Sequence, residues 1–357
     1  MNGLIGEYTK HLGTIIMYPS RNDIWRDNAI YMQRYVCNLA ETISKYEKVF
    51  FFCYPEFVDY LKNKYSNIAN IAVISSEYDD IWARDIGPTF IRNNGAVECV
   101  DWKFNAWGGI KEGSYYPWDK DDDFAAVVAD YFSLKCKKAS IVVEGGAIIH
   151  DGVGTIFSTK SVLLNRNRNP FKSKQLIEEE LLKLTKSSRI VWFDQGLALD
   201  ETNGHIDNLM SFVNQREICL AWTDQIDDPN YTRLHRIYES LENMSNLCGE
   251  QYIIHKIPMP PTQYMRSIEA NGLKKTDALE RKAGDVLPAS YLNYYILNGA
   301  VLVPSFGCDT DEMAMSAFKS VFADRDIIQV YSREPLLGGG GIHCILHEVP
   351  LMNEEVL

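Results

Sequence analysis

No run of apolar residues in this chain approaches the ~18 needed to cross a bilayer as a helix, so no helical membrane span is expected. No Cys-x-x-Cys pair occurs among its eight cysteines, at positions 37, 53, 99, 136, 219, 248, 308 and 344. The first ten residues lack the basic start and apolar core of a secretory signal. Reduced thiols in a cytoplasmic protein are therefore the simplest expectation. Basic residues are also short, since 36 Lys and Arg face 48 Asp and Glu, leaving a net charge of −12. Nucleic acid is disfavoured as a partner, because phosphate contacts need clustered Lys and Arg. A small cationic ligand is compatible with this charge. Low-complexity tracts and shifts of composition are absent too, and residues 1–357 are expected to form one domain.

What is present is a repeat. Strands are expected at 14–18, 48–53 and 71–75, with helices over 28–46 and 55–65. After them comes a recurring unit of strand, hairpin and helix. Asn94-Gly95, Asp151-Gly152, residues 214–216 and Asn298-Gly299 lie between apolar runs, where Asn-Gly and Asp-Gly supply the φ > 0 of a tight hairpin. The hairpins are 89–92 with 97–102, 147–149 with 155–158, 209–213 with 218–222, and 290–297 with 300–303. Helices are expected at 121–132, 174–185, 231–243 and 311–321, and return strands at 190–193, 252–257 and 327–331. A period of about 60 residues predicts a propeller or pseudo-symmetric barrel in place of a doubly wound sheet. The last strand, 342–347, has no helix after it and is expected to close the circle against 14–18.

Chemistry-bearing residues recur at matching places in these units. Asp85, Glu144 and the pair His205 and Asp207 each stand where the chain enters a hairpin. Cys344 holds the same place in the closing strand, directly after four glycines at 338–341. Each has a plain structural alternative. A free cysteine is most often a small buried hydrophobe. Asp85 could cap a turn, and Glu144 could be a solvated strand end. On a strand, His205 and Asp207 would share one face at i, i+2. They could hold a metal, or the aspartate could satisfy a core histidine. A metal would need further ligands, and His343, Cys344 and His347 are the candidates; on a strand, 343 and 344 would point to opposite faces, so none is expected. The functional alternative is a thiol nucleophile, a histidine that moves protons, and carboxylates that hold a cation. A planar guanidinium with paired N–H donors suits two carboxylates.

At these residues the chain resembles the agmatine deiminases, guanidino-group-modifying enzymes with the pentein fold. The likeness rests on Trp82-Ala-Arg-Asp-Ile-Gly-Pro, Asp101-Trp-Lys-Phe-Asn-Ala-Trp-Gly-Gly, Val143-Glu-Gly-Gly, Leu163-Leu-Asn-Arg-Asn-Arg-Asn-Pro, Asp200-Glu-Thr-Asn-Gly-His-Ile-Asp-Asn and the segment 338–345. It implies an α/β fold: a single-domain, five-bladed pseudo-symmetric α/β propeller whose last strand closes the first blade. It further implies a metal-free and cofactor-free enzyme, a homodimer or higher oligomer, that hydrolyses agmatine to N-carbamoylputrescine and ammonia through an amidino-cysteine. Carried over by position, Cys344 is the nucleophile, His205 the acid/base, Asp85 and Asp207 the guanidinium ligands, and Glu144 the group orienting His205. Trp82, Asn105, Trp107, Glu201 and Gly341 match motifs near the substrate. The family usually has Ser at Ala147, Asn at Gly341, Trp at Tyr18, and Thr-Gln-Gln where this chain has Leu346-His347-Glu348. A peptidylarginine or free-arginine deiminase on the same scaffold is the nearest alternative. A non-catalytic binding propeller, like the ribosome anti-association factors, is the more distant one.

Overall fold

The computed structural model describes residues 2–198, 200–274, 276 and 279–353. Five sheets of three or four strands share one connectivity. In four of them an antiparallel hairpin leads through a helix to a third strand parallel to the second. They are Thr89–Asn93, Ala96–Lys103 and Lys135–Val142; Ile148–His150, Thr155–Thr159 and Arg189–Phe193; Met210–Phe212, Glu217–Trp222 and Ile253–Pro258; and Tyr295–Leu297, Ala300–Ser305 and Asp326–Tyr331. Their crossover segments carry the helices Phe124–Tyr131, Lys174–Thr185, Tyr231–Leu241 and Thr310–Val321. The fifth sheet is the same unit cut open by the chain ends. Leu346–Pro350 pairs antiparallel with His11–Met17, which continues parallel to Lys48–Cys53 and then Ile71–Ser75. The last strand thus lies beside the first long one, as the sequence leads one to expect. A two-stranded ribbon, Gln263–Tyr264 with Val286–Leu287, stands apart from these five.

Local chemistry explains the elements. Lys48–Cys53 is Lys-Val-Phe-Phe-Phe-Cys, buried at every residue but the first, the continuous apolar run of a strand covered on both faces. Helix Ile30–Ile43 buries Met32, Val36, Cys37, Leu39, Ala40 and Ile43 on one stripe against that sheet. At the first hairpin Asn94 (φ 53°) and Gly95 (φ 84°) both take the left-handed conformation, which matches the twist of the two strands. Among the described residues no helix is long and apolar enough to cross a membrane.

Three expectations need correction, all at entries to hairpins. Cys344 is not on a strand: Ile342–Ile345 is a single helical turn, and the strand starts at Leu346. Ile342 and Ile345, three apart, are both fully buried, a helical spacing that a reading by alternation misses. His205 and Asp207 likewise do not share a strand face. His205 precedes the 3₁₀ turn Ile206–Asn208, which contains Asp207. The strand expected from 290 begins only at Tyr295, because residues 290–293 form another turn.

Candidate active site

Each hairpin is entered through a short turn, and these turns carry the polar residues. They are Ala83–Ile86, with Asp85; Gly145–Ala147, directly after Glu144; Ile206–Asn208, with Asp207; 290–293, with Asn293; and Ile342–Ile345, with Cys344. Pro88 and Gly87 end the first, since proline cannot continue a helix. The turns touch in a closed circuit. Ile342–Ile345 packs on Ala83–Ile86, that turn on Gly145–Ala147, and that one on Ile206–Asn208. Asn293 completes the circuit: its Nδ2 lies 3.3 Å from Asp207 Oδ2 and 3.3 Å from Cys344 Sγ, and its Oδ1 accepts from the His343 backbone N–H at 2.9 Å.

Within the circuit, Asp85 Oδ1 accepts from the Gly146 N–H at 2.9 Å and Oδ2 from the Trp107 indole at 2.8 Å. Trp107 (φ 64°) and Ala106 (φ 52°) both adopt the left-handed conformation, unfavourable for residues bearing Cβ and a recurrent feature of functional sites. The indole bond to Asp85 is what this backbone delivers. His205 stands 3.9 Å from Asp85 and 3.8 Å from Glu144; both are ion-pair distances too long for hydrogen bonds. Glu144 also accepts from Arg168 Nε at 2.5 Å, in a pair whose side chains are wholly buried. A methyl placed on Gly146 would lie 2.8 Å from His205 Nδ1 and 2.9 Å from an oxygen of Asp207 and of Asp85. The missing Cβ therefore opens the space where two carboxylates and an imidazole converge.

Charges in this buried space shift one another. Burial raises Glu144, but the Arg168 guanidinium and then His205 outweigh it and hold its carboxyl down at about 2. Burial would lower His205, but Asp85, Glu144 and Asp207 raise it to about 9. Asp85 is raised by burial, which His205 opposes and the charges of Asp207 and Glu144 reinforce. The Cys344 thiol is pushed well above its usual range by burial and then by Asp207 and Asp85. At neutral pH the free site thus pairs a protonated thiol with an imidazolium, short of one cation beside its carboxylates.

Trp82, Asp85, Trp107, Glu201, His205 and Cys344 line one cleft, with Ile24, Ser114, Thr202, Asn208 and Gly338 to Gly340. Trp82 meets Trp107 edge to face at 5.9 Å, and its indole donates to Asp80 at 2.7 Å. At the mouth, Glu201 takes a bidentate bond from Arg281 at 2.6 and 2.9 Å, and Arg281 also donates to the Gly338 carbonyl at 2.6 Å. Two expected substrate neighbours are placed elsewhere. Asn105 donates to the Asn167 carbonyl at 2.8 Å and shapes the turn that carries Trp107. Gly341 backs onto the side chain of Asn293. Among the described residues no group of three or more His, Cys, Asp and Glu is disposed to hold a metal ion.

Sequence reasoning passed over Asn293, Arg168, Gly146 and Arg281. The first had a signal, because the fourth repeat lacked a polar counterpart to Asp85, Glu144 and Asp207. Arg168 stood inside a quoted motif without a role. Arg281 is 80 residues from Glu201, and nothing in the sequence pairs them.

These units and the polar residues at their inner turns define an α/β protein of the pentein class. The solved agmatine deiminase of Enterococcus faecalis superposes with a TM-score of 0.92 at 31% identity, covering 98% of this chain and 96% of that one. A Stutzerimonas stutzeri protein named agmatine deiminase is 38% identical over 348 residues, 96% of this chain and 94% of its own length. A Mycoplasma capricolum protein, provisionally named an agmatine deiminase, is 40% identical over 346 residues, 97% of this chain and 94% of its own. The family model for Porphyromonas-type peptidyl-arginine deiminases matches residues 3–350, and the chain belongs to that family, among its agmatine deiminases.

Proposed function

We propose that this protein hydrolyses agmatine to N-carbamoylputrescine and ammonia. The observation that carries the reading is the convergence of Asp85, Asp207 and His205 on the space left by Gly146, next to a buried thiol. Two buried carboxylates facing one gap need a cation there, and a guanidinium supplies one with a planar donor set. Asp85 and Asp207 clamp it with its central carbon in line with Cys344 Sγ. The bound positive charge lowers the thiol, which releases its proton to solvent as the substrate settles, and the thiolate adds to that carbon. The His205 imidazolium gives its proton to one amino group, which leaves as ammonia and creates an amidino-cysteine. The now neutral imidazole takes a proton from water as it attacks the same carbon, and collapse expels the thiolate and releases the ureido product. Glu144, locked by Arg168, keeps His205 in place through both transfers.

The tie of Arg281 to Glu201 and to the Gly338 carbonyl, two residues that line the cleft, supports a small substrate over an arginyl peptide. It also supports agmatine over arginine: the Arg281 cation is already neutralised by Glu201, and among the described residues no other cation lines the cleft for an α-carboxylate. The same reading extends to five blades about a pseudo-fivefold axis, which the closed circuit of turns supports. It includes a metal-free cytoplasmic homo-oligomer serving putrescine biosynthesis or agmatine catabolism. The test is a panel of agmatine, arginine and an arginyl peptide scored for ureido product. Agmatine is expected to lead by roughly 100-fold or more in kcat/KM. Arginine or peptide leading would overturn the substrate. Cys344→Ser should abolish turnover and the single adduct formed with a haloacetamidine, and an adduct on another cysteine would remove Cys344 as nucleophile.

A further inference from the structure

Two of the turns treat adjacent residues alike. Asp85 and Cys344 line the substrate cleft. Their sequence neighbours, Arg84 and His343, join a buried line of alternating charge that ends on Asp207. His343 Nδ1 is 3.0 Å from Asp207 Oδ2, and its Nε2 is 2.9 Å from Glu7 Oε2. Glu7 accepts from Arg84 Nη1 at 3.1 Å, and Arg84 Nη2 donates to Glu348 at 2.6 Å. Glu7, His343 and Asp207 also share the wall of a second cavity, separate from the cleft, with Tyr8, His150 and Leu292.

The chemistry of these contacts fixes the protonation of His343. Carboxylate oxygens only accept, so a ring held between two of them donates from both nitrogens and is an imidazolium. Asp207 Oδ2 thereby receives His343, Asn293 and the thiol, while Oδ1 is buried with no partner. Oδ2 is also the oxygen that faces the space left by Gly146, 2.9 Å from a methyl placed there.

We propose that His343, kept cationic by Glu7, is a positioning residue that pins Asp207 Oδ2, the oxygen facing the space left by Gly146, where the substrate's guanidinium binds. This rests on the guanidino-hydrolase reading above. Neither His343 nor Glu7 lines the cleft, so both act through Asp207.

The groups facing His343 are Asp207, Glu7, Arg84, His150, Tyr295 and its neighbour Cys344, with Glu348 behind Arg84. Burial and Arg84 lower it, yet Glu7 and Asp207 raise it to about 9. Burial lowers His150, and burial raises Tyr295 far above its usual value. Neither therefore titrates between about pH 7 and pH 9. His205, raised to about 9, titrates alike in both forms of the enzyme and cancels from the comparison.

The test is Glu7→Gln, which keeps the side-chain shape and removes the charge. In wild type the KM for agmatine should be flat up to about pH 8.5. In the variant it should climb about fivefold between roughly pH 6.5 and 8.5 as His343 loses its proton, with kcat changing less than about twofold. Profiles that superimpose overturn the proposal. His343→Asn keeps a neutral donor toward Asp207 and should hold KM within about threefold of wild type near pH 7, whereas His343→Leu should raise it roughly 20-fold; equal KM in the two overturns the pin. A second readout does not depend on the substrate. With only seven histidines, the ring signal of His343 can be assigned by its loss in His343→Asn and titrated. Its midpoint should fall by at least about one unit in Glu7→Gln and in Asp207→Asn. An unmoved midpoint overturns the proposal. If the wild type turns over no agmatine, the functional reading fails alone, and the midpoint still decides the pin.

Discussion

At the scale of single residues, the site is governed by what cannot be present as much as by what is. Gly146 gives up a side chain so that His205, Asp207 and Asp85 can face one point. Any Cβ there would sit under 3 Å from all three and push them outward. Gly146→Ala is therefore expected to lose roughly 100-fold or more in kcat/KM, the cost of misplacing a catalytic group by about an ångström. The melting temperature should change little, because the displaced groups surround a cleft. Wild-type kinetics in the alanine variant would mean that the guanidinium does not occupy this space. Arg168 shows the opposite logic. It exists to neutralise Glu144, and both side chains are wholly buried, a geometry in which removing one partner strands a charge.

At the scale of elements, the glycine turn before Cys344 is close-packed. The Cβ position of Gly338 abuts Trp25, that of Gly339 abuts Glu201 and Arg281, that of Gly340 abuts Trp82, and that of Gly341 abuts Asn293. The run is a backbone segment laid against side chains, with only Gly339 (φ 104°) of the four in the left-handed region. Gly340→Ala should displace Trp82, which lines the cleft in edge-to-face contact with Trp107. The expected signature is a KM for agmatine raised about tenfold or more, with intrinsic tryptophan fluorescence altered in the free enzyme. Unchanged KM and fluorescence would show that Trp82 gives way freely and is not a wall of the cleft. Helix Arg333–Gly338 ends on the first of these glycines, and the turn Ile342–Ile345 that carries Cys344 follows the last and leads into the strand from Leu346.

At the scale of the whole molecule, the polar residues form a buried charge balance distributed over all five sheets. His205 and His343 are both held near 9 in the folded protein against an ordinary 6.5. A group raised on folding binds its proton more tightly in the native state. Its contribution is therefore complete below pH 6.5 and is lost as pH climbs through about 9. Each is worth up to ~3 kcal/mol at ~1.36 kcal/mol per unit. Glu144 is the reverse case: held near 2, it contributes above about pH 4.5 and loses that contribution as pH falls toward 2. Thermal melts of the free enzyme at constant ionic strength should show Tm falling between pH 6.5 and 9. A Tm that is level or rising across that range would contradict the charge states assigned to the two histidines.

Much of this was legible in order along the chain. The hairpin signals at Asn94-Gly95 and Asn298-Gly299, the apolar stripe of Ile30–Ile43 and the continuous run in Lys48–Cys53 are local, so periodicity and turn chemistry reveal them. The repeat then placed Asp85, Glu144, His205, Asp207 and Cys344 at matching positions, and the resemblance supplied their roles. What only the tertiary structure decided are the relations between units. A single helical turn at Ile342–Ile345 looks like a strand in sequence, because four residues are too few for a period to declare itself. The charges that tune the site come from far away: Arg168 to Glu144, Arg281 to Glu201, and Glu7 to His343 across 336 residues. Electrostatic partners need only proximity and burial, neither of which leaves a spacing in the sequence. The residues were written in the chain one by one, and the closure of the circuit of turns determined which of them touch.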